Sequence, residues 1–120
     1  MFQLVIKSTL ALVLLLGGAN AFAGGDAEAG QAKAATCVAC HGVDGNSAVP
    51  TFPKLAGLGH KYLLKQMKDI RDGRRPVALM AGQVDNMSDQ DLSDIAAFYD
   101  AQPRTGGTAD PDKVALGRKV

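Results

Sequence analysis

The chain has 120 residues, 47% of them apolar and 21% charged, which is enough for one domain and too little for two well-filled ones. Thirteen Lys and Arg nearly balance twelve Asp and Glu, so there is no basic excess to hold nucleic acid. The two cysteines lie three positions apart. A bridge that short closes too small a loop to hold a fold together, which indicates that the cysteines do chemistry.

Residues 1–23 have the pattern of a cleavable secretory signal peptide. Lys7 precedes the apolar run 10–16, and Ala21-Phe22-Ala23 is a small-x-small cleavage site. An uncleaved membrane anchor is the alternative, but the apolar run is short and glycines follow it. We therefore predict export to the periplasm, which would place the cysteines outside the reducing cytosol.

The remaining chain predicts an all-α fold with three main helices, because no segment alternates polar and apolar residues as strands do. The first helix is predicted from Asp26, as N-cap, to about Ala39. The second is predicted over His60–Asp72 and ends at Gly73. The third begins after a Ser88 cap, with Asp91 completing a capping box, and ends before Pro103.

The composition divides the exported chain into a domain over residues 24–103 and a flexible linker or tail over residues 104–120. Three helices of this size enclose only a small core. A domain with so little core usually needs a metal, a disulfide or a cofactor. The predicted tail lacks a core of its own and is expected to be mobile.

The sequence Cys37-Val-Ala-Cys40-His41 is typical of covalent haem c attachment. Thiols at this spacing reach the two vinyl groups on one edge of a haem, and the next histidine binds iron. A thioredoxin-like dithiol expects a βαβ pattern, which is missing. Zinc would need two more ligands, and only His60 remains as a histidine. A structural disulfide of such short span has little entropic value.

Longer stretches around this motif match the pattern of a known family. They are Gly25-Asp-Ala-Glu-Ala-Gly-Gln31, Cys37-Val-Ala-Cys-His-Gly-Val-Asp-Gly-Asn-Ser47, Phe52-Pro-Lys-Leu-Ala-Gly57, Lys61-Tyr-Leu-Leu-Lys-Gln66 and Met87-Ser-Asp-Gln-Asp-Leu-Ser-Asp-Ile-Ala-Ala-Phe98. With these stretches the chain resembles a class I c-type cytochrome, and most closely the N-terminal haem domain of the cytochrome c4 family. That resemblance implies a small class I cytochrome fold with one haem c, acting as a periplasmic one-electron carrier and not as an enzyme. It implies redox protein partners, namely a membrane quinol-oxidising complex as donor and a terminal oxidase or reductase as acceptor, with no small-molecule substrate.

Three methionines compete to be the second iron ligand. Met67 lies on the apolar stripe of the second predicted helix, and Met87 precedes the Ser88 cap, where it fits a hydrophobic staple. Met80 lies in a loop with small neighbours, which would let the backbone approach a haem. The family pattern also places its ligand before a small-residue-Gly step, so Met80 is preferred over Met87. His60 is a minor alternative, because a histidine that opens a helix is usually solvated.

The resemblance assigns three further positions. Class I cytochromes use a proline carbonyl to orient the iron-binding histidine, which makes Pro53 the acceptor for His41 and places Leu55 against the ring; a proline that only stiffens the loop is the alternative. In the family the first and last helices cross near a glycine, here Gly30, against aromatics such as Phe98 or Tyr99.

Three questions stay open at this level. The end of the chain resembles the start of a second haem domain, so the chain is either a truncated dihaem protein or a single-haem relative. A haem enzyme or ligand sensor with a labile sixth ligand is the alternative function, and it depends on whether Met80 holds the iron. Lys61, Lys65 and Lys68 line one face of the second predicted helix, either as a docking patch for an acidic partner or as an ordinary solvated face.

Overall fold

A computed structural model describes residues 24–107 and 109–119, so the predicted signal peptide lies outside the described residues. Within them the regular structure is entirely helical, which confirms the all-α prediction. No helix of the described part is long and apolar enough to cross a membrane. The helices are α1 (Ala27–Lys33), α2 (Val38–His41), α3 (His60–Arg71), α4 (Asp89–Asp100) and α5 (Pro111–Gly117), with 3₁₀ turns at Ala34–Thr36 and Ala78–Met80.

The first predicted helix is broken, whereas its N-cap is confirmed. The Asp26 carboxylate accepts the amides of Glu28 and Ala29. The helix then ends at Lys33, and the 3₁₀ turn separates it from α2 instead of continuing to residue 39. A 3₁₀ turn holds fewer residues per turn than an α-helix, so it changes the direction in which the following side chains point. The cysteine motif therefore points in a different direction from the one that a continuous first helix would give it.

The caps of the two longer helices match the prediction. Gly73 has φ of +73°, and its amide donates to the Ile70 carbonyl at 3.2 Å, which ends α3. At α4 the Ser88 hydroxyl accepts the Asp91 amide, and the Asp91 carboxylate accepts the Ser88 amide. These bonds are local, which explains why the sequence predicts them well.

Helices α1 and α4 cross in direct backbone contact at Gly30. A Cβ placed there would lie 1.9 Å from the Asp94 carbonyl oxygen and 3.0 Å from the Ile95 nitrogen. The predicted crossing is confirmed, but its partner is the backbone of Asp94 and not the aromatic rings of Phe98 or Tyr99. Only glycine leaves room for this approach, which offsets its entropic cost within a helix.

The core lies between α1, α3 and α4. Its buried members are Ala34, Leu63, Ile95, Ala96, Phe98 and Tyr99, and the two aromatic rings pack 4.9 Å apart. Half-buried side chains, including Cys37, pack against this cluster. The cysteine motif is therefore attached to the core at its first residue.

A buried carboxylate ties the crossing helices together. Asp94 is 3% exposed, and its oxygens accept from Lys33 at 2.5 Å, the Asp26 amide at 2.8 Å and Gln90 at 2.7 Å. Burial would raise the pKa of Asp94, but these three donors outweigh it and lower the pKa overall. The charge is thus fully compensated inside the fold.

The residues just after α4, at the boundary of the predicted domain and linker, contact the rest of the domain over a short stretch. Pro103 and Thr105 are hydrogen-bonded to the loop between α2 and α3. Further on, α5 begins at an Asp110 cap, and its described residues are exposed. The composition of residues 104–120 could not reveal the first contacts, since they join residues more than fifty positions apart.

Candidate haem attachment site

Helix α2 presents two free thiols and a histidine on a single turn. Cys37 is half-buried against the core, whereas Cys40 is exposed. Burial raises the pKa of the Cys37 thiol. The two thiols are therefore in different surroundings, with one anchored in the protein and the other reachable from outside.

His41 is buried and held in one orientation. It is 6% exposed, and its Nδ1 lies 2.8 Å from the carbonyl oxygen of Pro53. A carbonyl oxygen only accepts hydrogen bonds, so we assign the proton to Nδ1, which leaves the Nε2 lone pair free. An imidazole fixed in this tautomer is what a metal-binding histidine requires.

The loop between α2 and α3 positions the Pro53 carbonyl. The Gly45 carbonyl accepts the amides of Leu55 at 2.7 Å and Ala56 at 3.2 Å, which closes the loop at its base. Gly45 has φ of +76°, and a Cβ there would lie 2.6 Å from the Tyr99 ring. Leu55 is half-buried and packs against the core. The loop is thus anchored on both sides of Pro53.

Phe52 is a site residue that the sequence reasoning did not single out. Its ring lies 6.3 Å from the His41 ring at 66°, an edge-to-face arrangement. Phe52 stands inside one of the stretches that carry the family resemblance, directly before Pro53. Its position next to Pro53, the predicted carbonyl acceptor, is the feature of the sequence that could have indicated a place beside His41.

The methionines occupy different surroundings. Of the three in the described part of the chain, Met67 and Met87 pack against the core cluster and Met80 does not. Met80 is half-buried at the end of the 3₁₀ turn, where its amide donates to Val77 and its carbonyl accepts from Gln83. Of these three thioethers, that of Met80 is therefore the one whose position is not explained by packing in the core.

His60 is not the solvated histidine that its position suggested. Its Nε2 lies 3.1 Å from both the carbonyl oxygen and the hydroxyl of Ser93 on α4. The side chain links the start of α3 to α4. This contact gives His60 a structural role within the helix pair.

Four of the six basic side chains over residues 61–75 are ion-paired. Lys65 and Arg74 contact Asp69, and Lys68 contacts Asp89 at 2.6 Å. Lys61 forms no ion pair with any described residue. The net positive charge of this face is therefore smaller than its sequence suggests, because Asp69 and Asp89 lie beside the Lys and Arg side chains.

A buried hydroxyl next to the cysteine motif lacks a partner. Tyr99 is 1% exposed, and its hydroxyl makes no hydrogen bond of good geometry with any described group. It lies beside the Cys37 thiol, and burial together with this neighbour raises the pKa of Tyr99. Two thiols and an oriented imidazole within five residues form a donor set that fits a covalently bound haem, and the buried hydroxyl lies beside the first of these thiols.

Described residues that form only helices, with cysteines and a histidine in this arrangement, are typical of a class of proteins, the small c-type cytochromes. The chain belongs to the cytochrome c family, which its residues 27–100 match. It is 59% identical to cytochrome c4 of Pseudomonas aeruginosa over 95% of this chain and 57% of that protein. It is 54% identical to cytochrome c4 of Azotobacter vinelandii, over 95% of this chain and 59% of that protein.

The structural comparison agrees with the sequence. The fold matches the crystal structure of reduced recombinant cytochrome c4 from Pseudomonas stutzeri with a TM-score of 0.73 and 54% identity, covering 79% of this chain and 55% of that one. The chain spans little more than half the length of the cytochrome c4 relatives it matches. Cytochrome c-554(548) of Halomonas halodenitrificans is matched over 98% of its own length at 47% identity. A relative of about one domain in length therefore exists in this family.

Proposed function

We propose that residues 24–103 hold one haem c covalently through Cys37 and Cys40, that His41 and Met80 would be the two protein ligands of its iron, and that the domain carries one electron at a time. The observation that carries this proposal is the 2.8 Å contact between His41 Nδ1 and the Pro53 carbonyl. This contact fixes the imidazole so that Nε2 is free to bind a metal, and His41 directly follows the Cys40 thiol in the sequence. The membership of the cytochrome c family supports the same cofactor.

The protein contributes rigidity and exclusion of water. When bound, haem c supplies an iron that exists in ferrous and ferric states, and a methionine ligand raises its potential. Pro53 keeps the His41 ring from rotating, and Leu55 and the adjoining core limit water on that side. Met80 is held by local backbone bonds on a segment that contacts little of the core. A histidine and a methionine that both bound the iron would leave it no free position for a substrate.

We propose the periplasm as the location and redox proteins as the partners, a quinol-oxidising complex as donor and a terminal oxidase or reductase as acceptor. The signal-peptide pattern of residues 1–23 supports export. A related protein of Stutzerimonas stutzeri, 36% identical over 71% of this chain and 37% of that protein, is named a thiosulfate dehydrogenase electron acceptor. Exchange of electrons between proteins is thus the activity that the relatives' names support.

Visible spectra of the purified exported protein, oxidised and reduced, test the proposal together with an intact mass. We expect the mass of one haem and the weak red band of sulfur-to-ferric-iron charge transfer. A bound haem without that band, with ready binding of carbon monoxide, would favour the enzyme or sensor alternative. Absence of haem from a host able to attach it would overturn the proposal.

Variants of the methionines assign the ligand. We expect Met80→Ala to abolish the red band and Met87→Ala to retain it, because the Met87 side chain is engaged in the core. Met67→Ala is the matched control for loss of a core methionine. Loss of the band in Met87→Ala but not in Met80→Ala would transfer the ligand to residue 87.

The Lys-rich face is the proposed contribution to docking. Reversing the charges of Lys61, Lys65 and Lys68 is expected to change the salt dependence of electron transfer to the physiological partner. Because Lys65 and Lys68 already contact carboxylates, Lys61→Glu alone tests the cation without an ion pair to a described residue. An unchanged salt dependence in the triple variant would contradict a docking role for this face.

A further inference from the structure

The residues just after α4 are bound across the loop that holds Pro53. We name residues 103–105 the strap. The Asn46 side chain accepts the Thr105 amide at 2.8 Å and donates to the Pro103 carbonyl at 2.9 Å. The Lys54 ammonium donates to the Thr105 carbonyl at 2.5 Å. Both the amide and the carbonyl of Thr105 are thus held by side chains of the loop.

Asn46 is itself fixed before it reaches the strap. Its amide and its side-chain nitrogen both donate to the Asp44 carboxylate at 2.9 Å. The Asn46 amide group therefore uses its oxygen for Thr105 and its nitrogen for both Asp44 and Pro103. Both side-chain N–H groups and one lone pair of the oxygen are thus engaged, which fixes the orientation of the carboxamide.

The strap is connected to His41 by a short chain of contacts. Lys54, which binds Thr105, is the neighbour of Pro53, whose carbonyl accepts from His41. On the other side of the loop, Gly45 next to Asn46 accepts the Leu55 amide at 2.7 Å. The strap therefore connects residues 46 and 54 at the exposed side of the loop. The hydrogen bond from Leu55 to the buried Gly45 joins the same two parts of the loop directly.

We propose that Asn46 and the strap are positioning elements for the iron-binding histidine, which they serve by keeping the Pro53 carbonyl in place. The chain leaving the domain thus completes the support of His41 and is more than a connection to residues 106–120. This inference rests on the proposed role of His41. The side-chain hydrogen bonds of Asn46 go to Asp44, Pro103 and Thr105 and not to the His41 imidazole, so Asn46 and the strap act through the loop.

The experiment measures hydrogen exchange of the His41 Nδ1 proton by NMR in the reduced haem protein. Thr105→Pro removes the amide that Asn46 accepts, and Thr105→Ala keeps that amide while changing the same side chain. We expect Thr105→Pro to speed exchange of the Nδ1 proton by up to about tenfold, the opening factor that one lost hydrogen bond allows, and Thr105→Ala to leave it unchanged.

Asn46→Ala approaches the same contact from the loop. We expect it to speed exchange of both the Thr105 amide and the His41 Nδ1 proton. Gln102→Ala is its control, because it removes a side-chain bond to the Phe98 carbonyl without touching the loop. Lys54→Met is expected to act in the same direction as Asn46→Ala, since it releases the Thr105 carbonyl.

Two results would overturn the inference. Faster exchange at Thr105 with an unchanged Nδ1 proton would mean that the strap binds the loop without positioning His41. Equal Nδ1 exchange in Thr105→Pro and Thr105→Ala would mean that the amide does not matter. The visible spectrum of the unmodified protein separates these failures from failure of the proposed function, because a missing haem or missing red band is seen there first.

Discussion

The crossing of α1 with α4 and the segment over residues 74–87 are held in different ways. At the crossing, the backbones touch, and the core and the compensated Asp94 carboxylate surround the contact. In the segment, Val84 is buried, but most side chains are exposed, including Leu79 at 67%. Polypeptide packing alone accounts for the first region. The second has few anchors of its own, and we expect a bond from Met80 to iron to supply the missing one.

Gly30→Ala should have the largest effect, because it attacks the better-packed region. The added Cβ would lie 1.9 Å from the Asp94 carbonyl oxygen, a backbone atom that cannot move aside as the end of a flexible side chain could. We expect a loss of about 3 kcal/mol in the free energy of unfolding, at the upper end for an overpacked site. Urea unfolding measures it. Gly24→Ala is the control, since a Cβ there meets nothing within 4 Å; equal stability of the two variants would show that the helices do not touch at Gly30.

Two methionines of residues 74–87 should respond differently in the haem protein. Met87→Ala removes a side chain that packs against the core, so it should cost about 2 kcal/mol in the free energy of unfolding and keep the red band. Met80→Ala should lose the red band, because its thioether lies outside that cluster and is the proposed iron ligand. Urea unfolding and the visible spectrum measure both variants. A Met80→Ala protein that keeps the band would contradict its assignment as ligand.

The third prediction concerns pH and the crossing. Because the pKa of Asp94 is lowered in the fold, its stabilisation is complete above its unfolded pKa near 3.9 and is lost as the pH falls through the folded value below that. Asp94→Asn should be less stable than the unmodified protein by about 1–3 kcal/mol at pH 6. The difference should shrink below about pH 4. Urea unfolding at pH 6 and pH 3 compares the two, and a constant difference would contradict a charged Asp94.

The smallest effect is expected from the exposed ion pairs of α3. The Lys65 side chain is 68% exposed, so its pairing with Asp69 gains little over contact with water. Lys65→Ala should leave the midpoint of urea unfolding unchanged at both low and high salt. A clear loss of stability that disappears at high salt would show that this surface network supports the helix. Lys61→Ala is the matched control on the same helix.

Several features follow from the amino-acid sequence by itself. The Asp26 cap, the capping box of Ser88 with Asp91 and the glycine that ends α3 are all visible in it and confirmed. Each depends on hydrogen bonds between residues at most a few positions apart, which local chemistry determines. The spacing of the cysteines and the histidine is likewise local, so it indicates haem c without a fold.

Only the tertiary structure decided the remaining contacts. It broke the first predicted helix at Lys33, put the Asp94 backbone against Gly30, and turned His60 toward Ser93. It also bound Thr105 to Asn46, fifty-nine positions away. Such contacts arise when helices pack, and their partners are set by which surfaces meet and not by neighbouring residues. The hydrogen bond from His41 to Pro53 combines both kinds of information. The family resemblance indicated Pro53 as the acceptor, and the folding of the loop places its carbonyl oxygen 2.8 Å from His41 Nδ1.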